Sequence, residues 1–75
     1  MDVYEKVKAI VIDQLGVGED EITPTTTFQA LNADSLDIVE LVMALEEEFN
    51  LDIADEEVEN IQSIADVVKY VQENQ

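Results

Sequence analysis

The stretch Asp34-Ser35-Leu36-Asp37 is followed without a break by Ile38-Val39-Glu40-Leu41-Val42-Met43-Ala44-Leu45-Glu46-Glu47-Glu48-Phe49. No Gly or Pro interrupts this run, and its Leu, Ala, Met and Glu residues are good helix formers. Asp34 and Ser35 are both residue types that favour the N-cap position. Asp37 adds negative charge to the first turn, where the helix dipole favours it. The stretch therefore predicts an α-helix over residues 35–49.

One face of this predicted helix has the pattern of a core-facing stripe. At about 100° per residue, Leu41, Val42, Leu45 and Phe49 fall within about 60° of Ile38. We expect these five side chains to pack inside the protein.

A second apolar stripe lies on another side of the same helix. Leu36, Val39 and Met43 fall about 100–160° away from the first stripe. The acids that surround them on the wheel are Glu40, Glu46 and Glu47. Two interpretations are open: either another segment covers this stripe, or it is an exposed surface on which a basic partner docks, apolar at its centre and acidic at its rim.

Composition restricts the classes of function. The 75 residues, expected to form a single domain over 1–75, include 19 Asp or Glu against 3 Lys and no Arg, which gives a net charge of −16. Nucleic acid and anionic membranes are therefore excluded as partners, and a basic protein surface is favoured. The absence of Cys and His removes thiolate nucleophiles, imidazole bases and most zinc or iron sites. We expect a cytoplasmic monomer with no signal peptide, no membrane span, no metal site and no catalytic residue.

The other segments predict three more helices. Residues 2–15 carry one amphipathic face and stop at Gly16, residues 55–60 form a short helix, and residues 64–72 form a last helix capped by Ser63. No segment alternates as a strand does. The predicted fold is all-α: a small four-helix bundle with three longer helices, a short third helix and a long loop between the first two.

The long loop, residues 16–34, is expected to be anchored rather than free. A structureless loop of this length is uncommon in a small domain. We therefore expect its apolar residues Ile22, Phe28 and Leu31 to pack into the core. We expect the C-terminal tail that follows the last predicted helix, Glu73 to Gln75, to fray.

Ser35 has two interpretations. By position alone, a serine at a helix start is usually a cap. However, Asp34-Ser35-Leu36-Asp37, with the following Glu40 to Phe49, closely resembles the signature of the acyl carrier proteins of fatty-acid synthesis. The resemblance covers most of the chain. It departs from the family pattern at Asn32, where Gly is usual, at Ala54, where Pro is common, and at Val58, where Ala is usual.

This resemblance implies a covalent cofactor. Ser35 would be the site to which 4′-phosphopantetheine is attached, with Asp34 and Leu36 completing the motif. Asp34 would help to hold the metal and the basic residues of the phosphopantetheinyl transferase that loads the arm. The chain would then carry acyl intermediates as thioesters and present them to fatty-acid synthesis enzymes with basic docking patches.

The resemblance also assigns a docking face and an acyl-chain slot. The resemblance implies docking contacts by the acids Asp37, Glu40, Glu46, Glu47 and Glu48. The helix wheel adds the apolar residues Val39 and Met43. The slot residues, between the second and third helices, are Phe28, Leu45, Ile53, Val58 and Ile61. Because Val58 is larger than the usual Ala, we expect it to reduce or shift the slot.

Alternative functions fit the sequence less well than the carrier. A carrier of a polyketide, nonribosomal-peptide or other acyl or aminoacyl pathway shares the fold, and an unmodified acidic helical adaptor would explain the second stripe without explaining Ser35. An EF-hand loop starting at Asn50 would place Asp55 and Ile61 where Gly and Glu are needed. Weak divalent-cation binding to the acidic surface stays open. Catalysis by Ser35 is disfavoured because no histidine exists to activate it.

Overall fold

Four α-helices form the frame of the molecule in the computed structural model, which describes residues 2–74. Residues 1 and 75, the ends of the predicted domain, lie outside the described residues. The helices are α1 (Val3–Leu15), α2 (Ser35–Phe49), α3 (Asp55–Val58) and α4 (Ile64–Asn74), and a short 3-10 helix spans Glu19–Glu21 in the long loop. The all-α prediction, with a long loop between the first two helices, is confirmed.

The helix α1 is the element against which α2 and α4 pack, since it contacts both of them. The Asp2 carboxylate caps its start by accepting a hydrogen bond from the Tyr4 N–H at 3.1 Å. Gly16 ends it in the left-handed conformation, with φ of 67°, and donates its N–H to the Ile12 carbonyl. Glycine adopts this conformation without the steric cost that a Cβ brings, so the helix stops where the sequence predicts.

The core is a single cluster of aliphatic residues and one phenylalanine. Leu41, Val42 and Leu45 are buried, and Ile38 and Phe49 are half-buried against them, which agrees with the core-facing stripe of α2. The other buried side chains are Val7, Val11, Ile22, Phe28, Ile53, Ile61, Ile64, Val67 and Val71. The helices α1, α2 and α4 therefore contribute buried residues of their own, whereas the 3-10 helix and α3 are anchored by buried neighbours.

The long loop is tied to the start of α4 by main-chain hydrogen bonds. Phe28 donates to the Gln62 carbonyl at 3.0 Å, while Ile64 and Ala65 donate to the Thr26 and Pro24 carbonyls at 2.9 Å. The bonds from Ile64 and Ala65 use N–H groups that the start of α4 would otherwise leave without partners. Ile22 and Phe28 are buried and Leu31 is half-buried, so the loop is anchored as expected.

The last two helices differ from their predicted lengths. The helix α3 ends at Val58 because Asn60 and Ile61 bond three residues back, in tight turns, instead of four. The helix α4 continues to Asn74, whose side-chain amide donates to the Tyr70 carbonyl at 2.8 Å, so the fraying predicted for residues 73–75 does not include 73 and 74. Residue 75 lies outside the described residues.

Two of the three lysines join α1 to other elements. Lys6 Nζ lies 3.4 Å from Glu48 Oε2 on α2, and Lys8 Nζ lies 3.3 Å from Glu19 Oε1 in the 3-10 helix. The hydrogen bond to Glu19 raises the pKa of Lys8 above its ordinary value. In a chain with a net charge of −16, these pairs relieve a small part of the self-repulsion.

The turn before α2 supplies a test of the fold. Asn32 has φ of 62°, a conformation that Asn tolerates and β-branched residues strongly disfavour. We expect Asn32→Val to lower the free energy of unfolding by about 1–2 kcal/mol, whereas Asn32→Gly should preserve or raise it. Urea unfolding of the three proteins measures both effects. Equal midpoints for Val and Gly would contradict the assigned turn.

Candidate functional site

The start of α2 is closed by two aspartates that cap each other's backbone. Asp34 Oδ1 accepts a hydrogen bond from the Asp37 N–H at 2.9 Å, and Asp37 Oδ2 accepts one from the Asp34 N–H at 3.2 Å. This reciprocal arrangement is a capping box with aspartate in both positions. Asp34 is therefore the N-cap, and Ser35 is the first residue of the helix.

Ser35 is exposed at this helix start, and its hydroxyl makes none of the hydrogen bonds found among residues 2–74. The other serine of the chain is placed quite differently. Ser63 is half-buried, and its Oγ accepts a hydrogen bond from the Asp66 N–H at 3.2 Å. Asp66 Oδ2 in turn accepts from the Ser63 N–H at 3.1 Å, so the predicted capping box of α4 is present. One serine is a structural cap, and the other has a hydroxyl open to solvent.

The first turn of α2 offers both attraction and repulsion to an anion on Ser35. The N–H groups of Ser35 and Leu36 have no partner among the described residues, and the helix dipole favours negative charge there. The carboxylates of Asp34 and Asp37, held beside the serine by the capping box, repel an anion. A phosphodiester fits sterically at this exposed position, but the chain builds no cationic pocket around it in the described range.

The second apolar stripe of α2 is exposed. Leu36, Val39 and Met43 are 64%, 52% and 61% exposed, and they are the large hydrophobic residues that the described surface leaves in the open. Their spacing of three and four residues places them along one side of the helix, beginning directly after Ser35. Of the two interpretations given to this stripe, coverage by another segment is wrong.

The acids near this stripe divide into two groups. Three have partners within the chain: Asp37 in the capping box, Glu48 beside Lys6, and Glu46, whose Oε2 accepts the Ile53 N–H at 2.8 Å. Glu40 and Glu47 are exposed, and their carboxylates make none of the hydrogen bonds or ion pairs of residues 2–74. Glu40 and Glu47 are thus the two acids of α2 with carboxylates fully available to a partner.

Two grooves flank α3, and Val58 lines both. The loop groove, with a volume of about 520 Å³, lies on the side of the long loop and reaches Asp34, next to Ser35. Its walls include Phe28, Ala33, Asp34, Ile38, Val58 and Ile61. The outer groove, of about 440 Å³, lies beside the exposed stripe. Its walls include Val39, Met43, Glu46, Asp52, Ile53 and Val58.

The predicted slot residues are distributed over these two grooves. Phe28 and Ile61 belong to the loop groove, Ile53 belongs to the outer groove, and Val58 belongs to both. Leu45 is fully buried in the core and lines neither groove. Ile38 is predicted only as a core residue, but it also lines the loop groove. Its position on α2, one turn after Asp34, is the feature of the sequence that indicates this second role.

Residues 2–74 contain neither a membrane-spanning helix nor a metal-binding cluster. No helix in that range combines the length and the apolar character that crossing a membrane requires. No group of three or more acidic residues there has the geometry to hold a metal ion.

Comparison with known proteins identifies the family to which this chain belongs. A family model described as "Phosphopantetheine attachment site" matches residues 5–71. An acyl carrier protein of Helicobacter hepaticus is 55% identical over 75 residues, which cover 99% of this chain and 99% of that protein. The chain belongs to the acyl carrier proteins. The predicted family is confirmed, and so is 4′-phosphopantetheine as its cofactor.

Two solved acyl carrier protein structures share the fold. The protein from Thermotoga maritima is 33% identical with a TM-score of 0.80, over 93% of this carrier and 82% of that chain. The protein from Enterococcus faecalis, described as having high thermal stability, is 34% identical with a TM-score of 0.82, over 97% of this carrier and 94% of that chain. The carrier's helices and its long loop are therefore those of the family.

Proposed function

We propose that Ser35 is the residue that bears the 4′-phosphopantetheine arm, and that the protein carries intermediates of fatty-acid synthesis on it. The observation behind this assignment is the uncommitted hydroxyl of Ser35, exposed at the start of α2 beside an exposed apolar stripe. The arm supplies a thiol on which acyl groups are held as thioesters. The chain itself acts as a non-catalytic carrier, a cytoplasmic monomer with neither nucleic acid nor membrane as partner.

The residues around Ser35 have separate tasks in this proposal. Asp34 caps the start of α2, so the hydroxyl of Ser35 is not needed as a cap. The N–H groups of Ser35 and Leu36 favour the negative charge of the phosphodiester. Repulsion from Asp34 and Asp37 opposes this attraction, so the phosphodiester is not held tightly at the helix start and the arm stays directed toward solvent and visiting enzymes.

The attachment site is tested by loading the protein with a phosphopantetheinyl transferase and coenzyme A. We expect the intact mass of wild type to rise by one phosphopantetheinyl group and that of Ser35→Ala to stay unchanged. Ser63→Ala is the matched control, because it removes the other serine of the chain and should load like wild type. Loading of Ser35→Ala, or loss of loading only in Ser63→Ala, would contradict the assignment.

We propose that the enzymes dock on the exposed side of α2. Leu36, Val39 and Met43 would supply the apolar contacts, and the acids around them would attract basic patches on the transferase and on fatty-acid synthesis enzymes. Glu40 and Glu47 are the strongest candidates, since their carboxylates have no partner among the described residues. Asp37, Glu46 and Glu48 would contribute charge while also holding the fold.

Charge reversal tests this docking face. We expect Glu40→Lys and Glu47→Lys to lower the kcat/KM of transferase loading on the order of tenfold at low salt, with a smaller loss at high salt. Glu5→Lys is the control, since it makes the same charge change on an exposed site of α1. Thermal unfolding should show all three variants folded. Equal loss in Glu5→Lys would mean that net charge, and not this face, attracts the enzyme.

We propose that an acyl chain shelters in the grooves beside α3. The loop groove is the nearer candidate for a chain entering from Ser35, because Asp34 lies in its wall. Val58, which lines both grooves, would form the boundary between them. Phe28, Ile61 and Ile53 would supply the apolar walls, with Leu45 in the core behind them.

Shortening Val58 tests this boundary. We expect Val58→Ala to join the two grooves, so that the terminal methyl group of a bound decanoyl chain moves deeper and contacts Ile53. Nuclear Overhauser effects between the labelled chain and the protein measure this position. Val68→Ala, a half-buried valine of α4 outside both grooves, is the matched control. An unchanged set of chain contacts in Val58→Ala would rule out the boundary role.

A further inference from the structure

The link between α2 and α3, residues 50–54, is held to α2 by one residue. The Glu46 carbonyl accepts hydrogen bonds from the Asn50 N–H and, at 3.0 Å, from the Leu51 N–H. The Glu46 side chain then reaches past the end of the helix and accepts the Ile53 N–H at 2.8 Å, in a half-buried position. Within residues 2–74 these are the hydrogen bonds that connect the link to α2.

The helix α3 depends on its flanks for its position. It has four residues, and Ala54 at its N-cap offers no side-chain hydrogen bond. A helix this short is not stable alone. Its two anchors are the buried side chains on either side of it, Ile53 at 6% and Ile61 at 8% exposure. The bond from Glu46 to the Ile53 N–H therefore fixes the anchor that precedes α3.

The same bond lies in the wall of the outer groove. Glu46 and Ile53 both line it, together with Val58 of α3. A carboxylate that served only to attract an enzyme would need no hydrogen bond to its own backbone, and the neighbouring Glu47 has none among the described residues. The Glu46 carboxylate is thus placed to hold a groove wall as well as to present charge.

We propose that Glu46 is a positioning residue for the acyl chain: by fastening Ile53, it holds α3, and with it Val58 in the walls of both grooves, and so keeps the bound chain sheltered from water. This inference rests on the proposed carrier function. It predicts that protection of the acyl chain from water depends on the length of the Glu46 side chain, which lets it bond the Ile53 N–H. Docking of enzymes depends instead on the charge of Glu46.

Two conservative variants separate reach from charge. Glu46→Asp keeps the charge but is one methylene too short to reach the Ile53 N–H, while Glu46→Gln keeps the reach and an acceptor oxygen but loses the charge. In the unmodified protein we expect the Ile53 amide to exchange hydrogen about tenfold faster in Glu46→Asp and close to the wild-type rate in Glu46→Gln. The Val67 amide in α4 reports any global loss of stability, and Glu47→Asp and Glu47→Gln are the matched controls.

The second measurement tests whether the thioester of the bound acyl chain is protected from attack by solutes. On loaded, octanoylated protein, hydroxylamine should cleave the thioester severalfold faster in Glu46→Asp than in wild type, with Glu46→Gln and both Glu47 variants near wild type. Unchanged Ile53 exchange in Glu46→Asp, or faster exchange with unchanged cleavage, would overturn the role of Glu46. Faster cleavage in Glu46→Gln than in Glu46→Asp would also overturn it. Failure of wild type to take up the arm would instead overturn the proposed function, and that result is separate because the exchange measurement needs no arm.

Discussion

The reciprocal hydrogen bonds between Asp34 and Asp37 are the interaction on which the rest of the site depends. A helix start leaves four N–H groups without intrahelical partners, and a serine there is ordinarily drawn into capping them. Here Asp34 does this work, with its carboxylate 2.9 Å from the Asp37 N–H. Ser35 is consequently the first helical residue, rigidly placed by the helix that follows, yet with a hydroxyl that has no structural partner in the described chain. Ser63 shows the alternative, a serine whose hydroxyl is used as a cap.

The helix α2 serves two surfaces at once because its apolar residues form two stripes. The stripe with Leu41 and Leu45 packs in the core, where α1 contacts α2. The stripe with Leu36, Val39 and Met43 stays in solvent, against the usual tendency to bury large apolar side chains together. The acids of α2 are divided in the same way. Some fasten the fold, and Glu40 and Glu47 are left without partners in the described chain. Exposed apolar surface with a rim of available charge is suited to brief contacts with several basic partners.

Local rules account for what the sequence predicted well. Uninterrupted helix formers and a cap predicted α2 at residues 35–49, the range it occupies, because helix bounds follow from signals a few residues apart. The helix wheel separated the two stripes for the same reason. The positive φ of Asn32 also follows from a local preference of asparagine. The resemblance to a family then placed a cofactor that no periodicity indicates.

Contacts between distant residues account for the rest. The end of α3 at Val58, and the distribution of the predicted slot residues over two grooves, depend on how the long loop, α2 and α3 meet in space. The bond from Glu46 to Ile53 spans seven residues and a change of chain direction, so on the wheel Glu46 was only one more acid on the surface. Leu45, expected in the slot, lies in the core because the stripe that contains it packs inward.

We propose that the capped start of α2 leaves Ser35 as the hydroxyl that receives the 4′-phosphopantetheine arm in the cell. The most direct measurement is fragmentation mass spectrometry of the protein purified from its native host. We expect a phosphopantetheinyl group, free or acylated, on the fragment that contains Ser35. A protein recovered wholly unmodified, or one modified at Ser63 or at a threonine of the long loop, would contradict it.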